Sequence, residues 1–133
     1  MKILIIGGTG TIGKKVSAHL AKKHQIINAG RNSGDVNVNI ADSKSIEAMY
    51  ESIGKVDAIV CIAGEAKWAA LDAMTEEDFH VGLRSKLMGQ VNLVRIGRQY
   101  LNSGGSFTLS TGILADDPVV GTTSPAMVNG GIH

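Results

Sequence analysis

The sequence predicts an α/β fold built on a doubly wound parallel sheet, and three observations carry that expectation. Short apolar runs such as "KILIIG" (2–7) and "VDAIVCIAG" (56–64) show no polar alternation, the pattern of strands covered on both faces. Between such runs lie segments with apolar residues at helical spacing, long enough to act as crossovers between parallel strands. A cluster of glycines sits at the first strand-to-helix junction, "IIGGTGTIGKK" at 5–15. Strand and helix alternate from there on, which is the signature of this architecture.

The elements follow in order. The first strand is "KILIIG", β-branched and ended by glycine. Residues 11 to 23 put Ile12, Val16 and Leu20 at i, i+4 and i+8 with lysines elsewhere, an amphipathic helix. "QIINAG" (25–30) is the second strand and "VNVNI" (36–40) a short third. Asp42 can cap the helix "SKSIEAMYESI" by accepting from first-turn N–H groups, and Gly54 ends that helix. The fourth strand is "VDAIVCIAG". Thr75, with an acid three residues on, opens a long helix in which Phe79, Leu83, Leu87, Val91 and Val94 form one stripe, running to about Leu101. "GGSFTLST" is the fifth strand. The final "ILADDPVVGTTSPAMVNGGIH", rich in small residues, is a loop at the carboxyl edge of the sheet leading into a helix.

Composition narrows the function. With 133 residues, 44% of them apolar, the chain supports one core and one domain, residues 1–133. A formal net charge of +1, scattered basic residues and only 4% aromatics give no groove or stacking platform for nucleic acid. One cysteine, Cys61, excludes an internal disulfide framework, and no 18-residue apolar stretch or charged-then-apolar leader is present. A soluble, cytoplasmic protein without membrane contact is the expectation. The histidines, His19, His24, His80 and His133, have no metal-ligand spacing, so no metal is expected.

The glycines point to a ligand. Gly8, Gly10 and Gly13 match GxGxxG, and Gly7, Gly10 and Gly13 match GxxGxxG. In a glycine-rich chain the spacing alone is weak. Its position between a buried strand and an amphipathic helix strengthens it, because glycine allows positive φ, lets backbone approach a pyrophosphate and lets the helix start close to the strand. The helix amino terminus then offers unpaired N–H groups to the phosphates. At the end of the second strand, where an acid would hydrogen-bond a ribose, the chain reads "AGRNS". Arg31 can instead hold a 2′-phosphate bidentately, so NADP is expected over NAD, with Arg31, Asn32 and Lys14 near that phosphate. An ordinary solvated arginine is the plainer alternative.

These residues resemble the short-chain dehydrogenase/reductase family. "GGTGTIG" is similar to its cofactor motif, "VNVNIAD" to the segment that touches adenine, "CIAG" to the tail of its NNAG motif, "TEEDFHVGLRSKLMGQVNL" to its long helix, and "GGSFTLSTG" to the strand that holds its catalytic serine. The resemblance implies a Rossmann-like three-layer αβα sandwich that binds NAD(P). The implied cofactor contacts are Gly7, Gly8, Thr9, Gly10, Thr11, Ile12, Gly13, Arg31, Asn32, Asn39, Ile40, Ala63 and Gly64. It also implies a small carbonyl or alcohol substrate and a homo-oligomer formed through the long helix. Family members continue through a further helix and strand, so the sheet is expected to be truncated after its fifth strand.

The departures fall at the catalytic positions. No YxxxK occurs; alignment puts Pro125 in the tyrosine position, Asn129 in the lysine position and Lys86 in that of the structural asparagine. Tyr50 and Tyr100 lie on elements that keep them from the ligand edge. Reduction of a carbonyl needs a group to stabilise the developing alkoxide. Ser110 or Thr111 can donate to it, and Lys86 could supply a displaced positive charge, although a helix lysine reaching for water is its plainer role. Asp116 and Asp117 are expected as a solvated pair, Cys61 as an inert core thiol and Met74, Met88 and Met127 as gap fillers. Trp68 is open between a substrate contact and a rim-packing role. Two functions follow: an NADP-dependent oxidoreductase with an altered catalytic apparatus, or a dinucleotide-binding sensor or interaction module without chemistry.

Overall fold

The computed structural model describes all of residues 1–133. Five parallel strands form one sheet: β1 (Lys2–Ile6), β2 (Gln25–Gly30), β3 (Val36–Asn37), β4 (Val56–Cys61) and β5 (Leu101–Thr108), in the order β3-β2-β1-β4-β5. The direction of winding reverses between β1 and β4. At such a switch the loops leaving the carboxyl ends of the two strands diverge and open a crevice.

Strand β1 is central and Ile3, Leu4, Ile5 and Ile6 are all buried, which is why it reads as an unbroken apolar run. Side chains alternate across the sheet. Leu4 and Ile6 join Ala29, Val56, Ile59 and Cys61 of the sheet, Val38 and Ile40 of the loop after β3, and Ile46, Met49, Tyr50, Leu93 and Ile96 of the helices on that side in a core of thirteen residues. Ile3 and Ile5 face the other side, where helix α1 (Thr11–Leu20) packs on β1 and β2. Along α1 only Gly13 is buried, and Ile12, expected on the packed stripe, is 64% exposed.

Helix α2 (Ser43–Ile53) begins as its sequence dictates: the Asp42 carboxylate accepts from the Lys44 N–H, and Gly54, at φ +67, stops it. Strand β3 is shorter than expected, two residues rather than five, because the chain leaves the sheet at Val38 and turns toward α2 with Asn39 bonded to Ser45 and Ala41.

The long helix departs most from expectation. It runs as α3 (Glu76–Gly82), a π turn (Leu83–Leu87) and α4 (Met88–Gly97), then a tight 3₁₀ turn at Arg98–Tyr100. Thr75 and Asp78 form a reciprocal capping box at its start. The π turn holds one residue more than an α turn, which rotates all that follows by about 100°. Gly82, Ser85, Gly89, Leu93 and Ile96 form the buried line, while Val91, expected inside, lies exposed. Val91 and Val94 instead line a groove of about 550 Å³ with Leu109, Arg95 and Arg98.

Strand β5 starts at Leu101, three residues before the expected "GGSFTLST", and its pairing with β4 jumps from Val56–Leu101 to Ala58–Ser106. Gly104, at φ +78, makes the bulge possible. The Asp57 carboxylate ties the first strands to it, accepting from the Lys2 N–H at 2.6 Å and the Asn102 amide at 2.7 Å. Helix α5 (Thr123–Ile132) packs on α3 and the π turn, with Ser124, Pro125, Val128 and Asn129 buried.

Tyr50 locks α2 to α4. Fully buried, it donates to the Leu93 carbonyl at 2.9 Å and stacks on Tyr100 with ring centroids 5.2 Å apart. Gly97 leaves room for its phenol, where any Cβ would collide. Tyr50→Phe is expected to cost about 1 kcal/mol in urea unfolding, the worth of one internal hydrogen bond. Burial also pushes the Tyr50 phenol well above its ordinary value. The folded chain therefore keeps the proton that an unfolded tyrosine releases near pH 10, so this stabilisation is complete below about pH 10 and lost above it. Alkaline unfolding should be less steep in Tyr50→Phe than in the wild type.

Candidate functional site

The turn after β1 is built by contact between backbones. Gly7, at φ +84, brings its carbonyl so close to Gly13 that a Cβ on Gly13 would strike the Gly7 carbonyl and the Gly8 Cα. Gly7 itself lies against the Ile62 carbonyl at the end of β4, with 2.8 Å to where its own Cβ would be. Gly10 is the N-cap of α1 and has no side chain to cap with, and no acid stands in the first turn. The amides of Thr11, Ile12 and Gly13 consequently have no partner within the chain. This cluster of free donors at the positive end of a helix suits an oxyanion, and the missing Cβ atoms let the turn close tightly beneath it.

A cavity of about 410 Å³ opens beside this turn. Of the residues expected at a cofactor, Gly7, Thr9, Gly10, Arg31, Asn32, Ile40, Ala63 and Gly64 line it. Gly8, Thr11, Ile12 and Gly13 do not reach its wall; Gly8 packs on the Asn28 side chain and Gly13 lies buried beneath the turn. Asn39 is also absent, its Oδ1 being turned back to the Ala41 N–H, and the buried Val38 takes its place beside Ile40. Lys14 is exposed and outside the cavity. At the rim the Thr9 and Ser33 hydroxyls are 2.7 Å apart, and Arg31 Nη1 meets Glu65 Oε1 at 3.1 Å. Nothing in the spacing singles out Glu65; its one signal in sequence is that it directly follows "CIAG".

A second, smaller cleft of about 190 Å³ adjoins the first at Gly64 and is lined by Ala66, Trp68, Lys86, Thr111, Pro125 and Asn129 among others. Gly64, at φ +141, lies under the Lys86 side chain. Lys86 is half-buried, and loss of solvent lowers its ammonium pKa below the usual lysine value. Burial conversely pushes the Cys61 thiol up, so it is held as the neutral core thiol expected of it. The Thr111 hydroxyl is engaged, donating to the Asn129 carbonyl at 2.9 Å.

Ser110 stands just behind this wall. Its backbone is gripped by Gln90, which is almost completely buried: the Gln90 amide donates to the Ser110 carbonyl at 2.8 Å and accepts the Ser110 N–H at 2.9 Å. A second donation, at 3.2 Å, reaches the Lys86 carbonyl. Gln90 thus fixes both groups from the buried line of α4. Its signal in sequence is weak, because the buried line it joins consists largely of glycine and serine and the expected apolar stripe runs along another face.

Other candidates stay apart. Asp116 and Asp117 are exposed, Tyr50 and Tyr100 lie in the core, and Met74, Met88 and Met127 line neither cleft. Trp68 lines the second cleft while 62% exposed. No helix is long and apolar enough to cross a membrane.

Comparison with known proteins agrees with this geometry. The family model for the NAD dependent epimerase/dehydratase family matches residues 3–118. No curated protein matches the chain. The crystal structure of the protein lin1944 from Listeria innocua is 52% identical, covers 99% of this chain and superposes with a TM-score of 0.97. A small-chain dehydrogenase solved in complex with NADPH is 28% identical over 99% of this chain, with a TM-score of 0.90. A Serratia marcescens short-chain dehydrogenase/reductase variant, 17% identical, shares the fold with a TM-score of 0.83 over 98% of this chain. The chain spans 66%, 60% and 66% of the lengths of these three proteins. A glycine turn with its amides free, placed at the switch point of a Rossmann-type sheet and matched over residues 3–118, makes this chain a member of the NAD dependent epimerase/dehydratase family.

Proposed function

We propose that the chain binds NADP in the first cavity and serves a short-chain oxidoreductase acting on a small carbonyl or alcohol. The observation that carries the reading is the cavity lined by Gly7, Thr9, Gly10 and Arg31, which opens at the uncapped start of α1, with the free amides of Thr11, Ile12 and Gly13 just beyond its wall. The glycine turn with the free amides of α1 would hold the pyrophosphate, Val38 and Ile40 the adenine, and Arg31 with Asn32 the 2′-phosphate. NADPH in a 28% identical structure supports the choice of coenzyme. When bound, the nicotinamide supplies or accepts the hydride.

The chain's own residues supply the rest. As hydride reaches a carbonyl carbon, the oxygen becomes an alkoxide and must be stabilised and then protonated. Ser110, whose hydroxyl has no partner in the fold and whose backbone Gln90 immobilises, is assigned the hydrogen bond to that oxygen. Thr111 shapes the wall, its own proton being committed to Asn129. Lys86 provides the positive charge, and its desolvated ammonium gives up a proton more readily than an ordinary lysine. Self-association is assigned to the groove of Val91, Val94 and Leu109, an apolar surface left open on α4 and after β5.

A second reading rests on the second cleft, which has no tyrosine in its lining and carries Pro125 and Asn129 at the positions of the family's Tyr and Lys. In that reading the chain binds the dinucleotide without turnover.

Arg31→Ala should weaken NADPH binding about 10- to 100-fold, the worth of charge-assisted hydrogen bonds, and NADH binding far less. Fluorescence titration with both coenzymes measures this, and equal losses would refute the assignment of Arg31. For catalysis, NADPH consumption with a panel of aldehydes, ketones and quinones should fall at least about 100-fold in Ser110→Ala, while coenzyme affinity is retained. No turnover by the wild type on any carbonyl would leave the binding-module reading in possession.

A further inference from the structure

The Arg31–Glu65 pair links two loops across the coenzyme cavity. Arg31 follows β2, Glu65 follows β4, and the two side chains, both lining the cavity, meet at 3.1 Å. Glu65 is not a loose surface residue. Gly64, in the left-handed region with φ +141, turns the chain there, and the Glu65 N–H donates to the hydroxyl of the buried Ser85 at 3.1 Å. That bond fixes the Glu65 backbone to the π turn, so the carboxylate is anchored where it meets the guanidinium. Arg31 belongs to no other ion pair.

We infer that Glu65 is a specificity-determining residue that competes with the coenzyme's 2′-phosphate for Arg31 and thereby lowers the preference for NADP over NAD. The inference rests on the coenzyme reading above and adds to it a residue of opposite effect. A guanidinium presents one fork of donors suited to one planar or tetrahedral anion at a time. A phosphate arriving there must displace the carboxylate, and meets its negative charge nearby afterwards. A coenzyme with a plain ribose hydroxyl meets neither cost, and leaves the ion pair in place. Both partners are about half exposed, so the pair is weak in itself, a matter of a few-fold in an equilibrium rather than orders of magnitude. Such a modest, reversible hold suits a residue that tunes a ratio.

The test is a titration of the full chain with NADPH and NADH, followed by coenzyme or protein fluorescence, in the wild type, Glu65→Gln, Arg31→Ala and the double variant. Glu65→Gln keeps the side-chain length and amide-scale polarity but removes the charge. It should raise the ratio of NADPH to NADH affinity by roughly 3- to 10-fold at low ionic strength, and by less in about 0.5 M salt, where exposed charges are screened. In the Arg31→Ala background the same substitution should change the ratio by less than about twofold, since the contested guanidinium is gone. A ratio unchanged or lowered in Glu65→Gln, or a gain of equal size without Arg31, overturns the inference about Glu65 while leaving the coenzyme reading standing. A wild type that binds neither coenzyme overturns both.

Discussion

The rest of the structure depends on one contact between backbones, that of the Gly7 carbonyl with Gly13. It sets how closely α1 can begin to the end of β1, and so where the amides of the helix's first turn lie relative to the loops leaving β2 and β4. Each of those loops delivers one wall of the cavity: Arg31, Asn32 and Ser33 from β2, Ala63, Gly64 and Glu65 from β4. The reversal in strand order between β1 and β4 spreads these walls apart, and the glycine turn forms the floor between them. A side chain at either glycine would widen the turn and move the helix away from both.

The second cleft is organised from the opposite side of the sheet. Its positions derive from α4 through Gln90, whose amide satisfies two backbone groups of Ser110 and one of Lys86. A buried amide with its donors and acceptor used in this way is rigidifying, since any displacement would strand a polar group away from water. The coenzyme cavity and the second cleft share Gly64, and Lys86 packs on that glycine. The two sites are therefore joined by a glycine in a conformation other residues rarely adopt.

Much of this was legible in the residues. The buried run "KILIIG", the Asp42 and Thr75 caps and the glycine turn each express a local rule, and each element stands within a few residues of its expected place. What could not be read depended on individual hydrogen bonds rather than on periodicity. The trimming of β3 reflects the bond that the Asn39 N–H donates to Ser45 at the start of α2 and the one its side chain accepts from Ala41, and the early start of β5 reflects a bulge stabilised through Asp57. The buried face of the long helix was misjudged because Phe79, Leu83, Leu87, Val91 and Val94 form its apolar stripe, whereas Gly82, Ser85, Gly89 and Gln90 occupy much of the line that is buried. That error hid Gln90, and the rim pair of Arg31 with Glu65, thirty-four positions apart by number, left no periodic trace at all.

The π turn at Leu83–Leu87 gives this segment two apolar seams in different phases. Upstream, Phe79, Leu83 and Leu87 point one way; downstream, Leu93 and Ile96 take over the interior while Val91 and Val94 are left outside. Tightening the wide turn to an ordinary one with every residue kept would swing all that follows by about 100°, carrying Val91 toward the interior and turning Leu93 and Gln90 away from it. One surplus amino acid thus decides which side of the spiral is the protein's inside.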